Sequence, residues 1–158
     1  MRTVRDAVGV HVYPAHRLDR GASGAVVFAL DPAAAGVLGK AFAEARVEKR
    51  YLALTRGHPP ESGVIDHAIE RVPGGPRLPA TTSFVRLGTS GRYALVEATP
   101  HTGRLHQIRR HLKHISCPLI GDVRYGKGEH NRLFREHYNL ASPRPPRKRA
   151  RLRPSRYR

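Results

Sequence analysis

Residues 81–98 read TTSFVRLGTSGRYALVEA. Two runs of β-branched, aromatic and aliphatic residues, Thr81 to Leu87 and Arg92 to Ala98, flank Gly88-Thr89-Ser90-Gly91, a pattern that predicts a β-hairpin. A hairpin puts an antiparallel pair into the sheet and so argues against an all-parallel architecture. Immediately downstream, Arg104 to Ile115 predicts a helix. At about 100° per residue, Leu105, Ile108, Leu112 and Ile115 fall in one sector about 80° wide, which makes a core-facing stripe. Arg109 lies on the border of that stripe, where a guanidinium is normally held by a carboxylate or a phosphate, while His106, Arg110 and His114 point away from it. A second helix is expected over Glu129 to Tyr138.

Upstream, Thr3 to Val8 reads as a short helix and Gly24 to Leu30 as a strand. Asp31-Pro32 then supplies a capping carboxylate and a proline at the first helical position, opening a helix over Ala33 to Arg46. Lys49 to Thr55 reads as a strand closed by Gly57-His58-Pro59-Pro60, Gly63 to Ile69 as another, and VPGGPRLP (72–79) as a loop. Interleaved helices and strands with a hairpin among them place the chain in the α+β class with a mixed sheet.

Composition bounds the function. The chain has 158 residues, a length suited to one domain. Its 29 Lys+Arg face 12 Asp+Glu, a formal charge of +17 that seeks a polyanion. Ser142 to Arg158 (SPRPPRKRARLRPSRYR) has no acid, four prolines and almost no aliphatic side chains, and is expected to be a disordered basic tail. Without it the chain remains strongly basic. No apolar run approaches the ~20 residues of a membrane span, and the first residues lack the apolar core of a secretion signal, so a cytoplasmic protein with no membrane partner is expected. One cysteine, Cys117, forms no internal disulfide and no multi-cysteine zinc cage. His106, His111 and His114 project in separate directions from their helix with no accompanying acid, which is not a metal-ligand arrangement.

Asp19 stands among cations in His16-Arg17-Leu18-Asp19-Arg20. Nearby positive charge favours the ionised carboxylate, so this residue reads either as a charged nucleophile or base, or as the anion of a loop ion pair with Arg17 or Arg20. Charge pattern alone favours the ion pair. Four blocks in order change the balance: His16-Arg17-Leu18-Asp19-Arg20 with Ser23-Gly24; Lys49-Arg50-Tyr51-Leu52-Ala53; Thr102-Gly103-Arg104-Leu105-His106-Gln107-Ile108-Arg109 with His111-Leu112; and Pro118-Leu119-Ile120-Gly121-Asp122. Together they resemble the RluA family of pseudouridine synthases. Residues 3–24 and 121–140 are most similar to the branch that modifies uridine 65 of tRNA.

The resemblance implies a pseudouridine-synthase-like α+β fold with a mixed, largely antiparallel sheet, flanking helices and a catalytic cleft. It implies Asp19 as the catalytic residue, Tyr51 as the ring that packs on the target uracil, and Arg109 as the partner of the aspartate. Arg17, Arg20, Arg104 and His106 flank these positions and would contact phosphates or orient the loop. The reaction breaks the bond from ribose C1′ to N1 and remakes it to C5, so no cofactor or metal is implied; the partner is RNA, tRNA rather than rRNA, and no obligate protein partner is evident. The base must leave its stack to react, and a flat aromatic surface would hold it.

Three departures accompany the resemblance. Ala22 occupies the place of the family's usual threonine, and the chain is expected to lack strands the family has before His16 and after Leu140. Residues 1–141 are thus read as a catalytic domain incomplete at both ends and 142–158 as the tail. The alternative is a non-catalytic basic RNA-binding module derived from a truncated synthase.

Overall fold

The hairpin forms the centre of a four-stranded antiparallel sheet in the computed structural model, which describes residues 2–19, 21–126 and 128–138. The chain runs α1 (Arg2–Val8), β1 (Tyr13–Pro14), β2 (Phe28–Ala29), α2 (Pro32–Ala43), β3 (Tyr51–Arg56), β4 (Ser62–Asp66), β5 (Ile69–Glu70), β6 (Arg77–Leu78), β7 (Thr81–Ser90), β8 (Tyr93–Pro100), α3 (Gln107–His114) and α4 (Gly128–Tyr138). The large sheet has the order β3-β8-β7-β4, and β1-β2 and β5-β6 form two small two-stranded sheets. Every pairing among the described residues is antiparallel, so the fold is α+β with an antiparallel sheet. The expected tail, 142–158, lies outside the described residues.

The hairpin strands are longer than the composition of the turn suggests. Gly88, Thr89 and Ser90 belong to β7, and the register slips between Arg86 and Gly88 as a bulge. The loop proper is Gly91-Arg92, with Gly91 at φ 54, a conformation a two-residue hairpin loop needs and glycine adopts without steric cost. The apolar run over 24–30 keeps only Phe28–Ala29 as strand, and the expected loop 72–79 contains β6, which pairs back on β5. Short pairings of this kind carry no hydrophobic period to betray them.

The core lies on one face of the large sheet. Ala53, Ile65, Phe84, Ala94 and Val96 alternate inward and meet Leu112 of α3, with Ile108, Ile115 and Leu119 packed around them. The alternate positions Leu52, Val64, Val85 and Leu95 are exposed. α2 is capped as expected, the Asp31 carboxylate accepting from the Ala34 amide at 2.8 Å.

α3 begins at Gln107, three residues later than the pattern predicts, and Leu105 is 59% exposed rather than part of the stripe. What replaces it in the core is polar. Gln107 accepts from the amide of Arg104 and donates to the Thr81 carbonyl, closing the turn before the helix. His111 is wholly buried; its Nε2 donates to the His67 carbonyl at 2.9 Å and its Nδ1 meets the Thr82 hydroxyl at 2.9 Å. Burial pushes its imidazole below the ordinary histidine range, so the ring is a neutral pin between helix and sheet. Leu112→Ala is expected to cost about 2–5 kcal/mol in denaturant titrations, whereas Leu105→Ala costs under ~0.5 kcal/mol, a contrast an α3 starting at Arg104 would not produce.

Candidate active site

Asp19 sits on a loop that the small N-terminal sheet holds in place. The Ala15 amide donates to the Val27 carbonyl, the Val27 amide donates to His16 Nε2 at 3.2 Å, and the His16 ring stacks on Phe42 of α2 with centroids 4.7 Å apart. The Ala22 amide donates to the Asp19 carbonyl at 2.9 Å, which turns the chain directly after the carboxylate. Asp19 is left half-buried, its side chain 36% exposed.

Arg109, in the first turn of α3 on the border of its buried face, reaches that carboxylate. Its Nη1 donates to Asp19 Oδ2 at 3.1 Å. The rest of the guanidinium is taken by Asp122: Nε donates to Oδ2 at 2.7 Å and Nη2 to Oδ1 at 2.9 Å. This two-point fork fixes the plane of the group and so the direction of the N–H bonds on Nη1. Asp122 arrives by a defined route. After α3 the chain returns along β3, where the Arg56 amide donates to the Pro118 carbonyl and the Ile120 amide to the Leu54 carbonyl. Gly121, at φ 80, then turns it inward, and its amide donates to the Asn131 side chain of α4. The loop closes at Gly126, where a Cβ would lie 2.4 Å from the Asp122 carbonyl oxygen.

The charges follow from this geometry. Burial raises the Asp122 carboxyl, but hydrogen bonds from Arg109 and from the amides of Tyr125 and Arg124 together outweigh it and hold the group below the usual aspartate range. The Asp122 side chain is only 2% exposed. Its hydrogen bonds to Arg109 raise the arginine further above its ordinary value, so the bridge is fully ionised at neutral pH. His106 Nε2 stands 3.9 Å from Asp19 Oδ2, the same oxygen that Arg109 meets, so among the described residues both side chains that approach the carboxylate do so at Oδ2. Tyr51, at the start of β3 on the inner face, is half-buried; burial, then the charge of Asp19, raises its phenol, which stays protonated at neutral pH.

Of the residues singled out in the sequence, Asp19, Arg109 and His106 come together directly, and Tyr51 lies within electrostatic reach of Asp19. Arg17 is exposed on the loop. Arg104 stands off the cluster, its Nε donating to the Pro79 carbonyl at 3.0 Å. Arg20 lies outside the described residues. Asp122 and Tyr125 were not foreseen as site residues, although Asp122 falls in the fourth sequence block. The available signal was the unmet need of Arg109 for an anion in a chain with few acids.

Because the folded-state value of Asp122 is depressed, its contribution to stability is complete above the ordinary aspartate value of 3.8 and is lost as pH falls below it. Asp122→Asn is expected to lower stability by about 3 kcal/mol at pH 7 and to flatten the acid limb of the thermal-unfolding profile below that value; an unchanged acid limb would contradict the bridge.

Comparison with known proteins agrees with the four blocks. The sequence model described as RNA pseudouridylate synthase matches residues 2–114. The chain is 38% identical over 160 residues to tRNA pseudouridine synthase C of Vibrio parahaemolyticus, covering 88% of this chain and 65% of the relative, and 39% identical to the protein of that name in Vibrio cholerae, covering 88% and 66%. It thus spans about two thirds of the length of these curated relatives. Among solved structures, human RNA Pseudouridylate Synthase Domain Containing 1 superposes with a TM-score of 0.73 at 33% identity, over 82% of this chain and 60% of that one. With the matched region spanning most of the chain and the fold shared, this protein belongs to the RNA pseudouridylate synthase family.

Proposed function

We propose that the chain isomerises uridine to pseudouridine in structured RNA, with tRNA as the substrate class and uridine 65 as the position, and that Asp19 is its catalytic residue. What supports the reading above all is the carboxylate of Asp19, half-exposed and tethered at Oδ2 by a guanidinium that is itself locked from behind. The tRNA preference rests on the names of the relatives, and a cytoplasmic location on that of the substrate.

The chemistry asks for what these side chains can do. The C1′–N1 bond breaks, C1′ bonds to C5, the C5 proton leaves and N1 gains one, so reactants and products have the same composition. Asp19 acts on the nucleoside through its freer oxygen, by attack or by proton abstraction, while Arg109 keeps the carboxylate charged and aimed. The Tyr51 ring holds the detached uracil by stacking. Arg17 and Arg104 are assigned to the RNA backbone; Arg104 keeps part of its guanidinium beyond the Pro79 tether. Arg20 has the same assignment from the sequence block. His106 belongs to the pocket.

The test is release of tritium from tRNA carrying 5-tritiated uridine. Wild type is expected to release it, Asp19→Asn to abolish release and Tyr51→Ala to reduce it strongly, both while tRNA binding persists. Release by Asp19→Asn, or none by wild type, would refute the assignment; binding without release by wild type would point to an RNA-binding module. Arg17→Ala is expected to weaken tRNA binding and to lower the slope of log K against log salt by about one, with kcat unchanged.

A further inference from the structure

Among the described residues, both groups that approach Asp19 are held by one short segment. Asp122 holds Arg109, and Tyr125, three residues on, meets His106: its hydroxyl lies 3.2 Å from His106 Nδ1. The Tyr125 ring also lies beneath the Arg109 guanidinium, 5.1 Å from Cζ to centroid, with Arg124 at 5.4 Å. The segment is built to stay put. The Tyr125 amide donates to Asp122 Oδ1, Asn131 donates to the Asp122 carbonyl at 2.8 Å, and Gly126 approaches too closely for any side chain.

We propose that Tyr125 is a positioning residue for the reaction: its hydroxyl donates to Nδ1 of His106, which fixes the histidine proton on Nε2, facing Oδ2 of Asp19. This rests on the reading of the site as the one that forms pseudouridine. Two observations require the tautomer. Burial, then the charge of Arg109, pushes the His106 imidazole below its ordinary value, so at neutral pH the ring has a single N–H. With Nε2 facing a carboxylate oxygen at 3.9 Å, a lone pair there would face an anion, whereas an N–H faces an acceptor. The Tyr125 hydroxyl supplies the proton that Nδ1 then needs as acceptor.

The groups around His106 are Asp19 on its loop, Arg109 on α3, and Asp122, Arg124 and Tyr125 on the following segment. The distance of 3.9 Å is too long for a hydrogen bond, and a shift of under ~1 Å makes it one. Oδ2 then has two donors, Nη1 of Arg109 and Nε2 of His106, leaving Oδ1 to the nucleoside. His106 is unusual in another respect: it opens α3 at φ 54, in the left-handed region, with no capping hydrogen bond from its side chain. That strain is consistent with a ring committed elsewhere.

The tautomer is read directly by two-bond nitrogen–proton NMR on the full chain with labelled histidine, assigned by His106→Gln. Wild type is expected to show Nε2–H on His106 and titration below 6.5; Tyr125→Phe, which keeps the ring and removes only the hydroxyl, is expected to mix the tautomers and move the titration upward. Nδ1–H in wild type, or a titration unmoved by Tyr125→Phe, overturns the proposal. In the tritium-release assay, Tyr125→Phe is expected to lower kcat about fivefold near pH 8 with KM within about twofold, the deficit shrinking as pH falls below 6.5 and the imidazolium forms, because the charged ring carries Nε2–H with or without the tyrosine hydroxyl. Added to His106→Gln it is expected to change nothing further. A deficit equal at all pH values, or one that persists in the His106→Gln background, means a merely structural tyrosine and also overturns it. Should wild type release no tritium, it is the pseudouridine reading that fails, and the NMR titration still decides the tautomer.

Discussion

One guanidinium joins the parts of this structure that matter. Arg109 sits where α3 passes from core to solvent, and its three nitrogens donate to one carboxylate 90 positions before it and another 13 positions after it. Asp122 takes the fork and Asp19 an N–H of the third nitrogen, Nη1. The division is unequal: Asp122 is buried and satisfied on both oxygens, whereas Asp19 is half-exposed and, among the described residues, approached on one. Had a single carboxylate taken the whole group, nothing would direct a loop of the small N-terminal sheet onto the helix of the large one. The cost of burying three charges is offset by hydrogen bonds on every side of Asp122.

From this bridge the rest of the site follows in physical order. The core packs Ile108 and Leu112 onto the sheet, which orients α3 and so brings Arg109 to its border. The return along β3 and the turn at Gly121 bring Asp122 behind it, and α4 clamps that turn through Asn131. Only then does Asp19 have a partner. In a chain this basic, the few acids near α3 are where charge is organised, and the remaining positive surface is left for a polyanion.

Much of this was legible in the sequence, for local reasons. The hairpin, the Asp31 cap and the helix carrying Arg109 each rest on patterns a few residues long, and the border position of Arg109 already demanded an anion. The limits were equally physical. The helical period counted Leu105 as core, but Gln107 and His111 are buried in its place because their hydrogen bonds are completed by Thr81, Thr82 and His67 on other elements. The two-residue strands β5 and β6 have no period to read. Asp122 and Tyr125 gain their meaning from a tertiary return along β3, which no local spacing encodes; the sequence block containing Asp122 marked its place without its task. Of the two readings of Asp19, as catalytic anion or as the anion of a loop ion pair with Arg17 or Arg20, the structure adds a partner that neither named, Arg109 of α3, which meets Oδ2, while Arg20 lies outside the described residues.

The guanidinium bridge is tested most directly by Arg109→Lys, since an ammonium keeps the charge but cannot span both carboxylates in a fixed plane. Single-turnover pseudouridine formation on tRNA, measured by mass spectrometry at saturating protein, is predicted to slow at least about a hundredfold in a chain that still unfolds cooperatively and still binds tRNA. A rate equal to that of wild type would show that positive charge alone suffices and that the fork between Asp122 and Asp19 is not what arms the site.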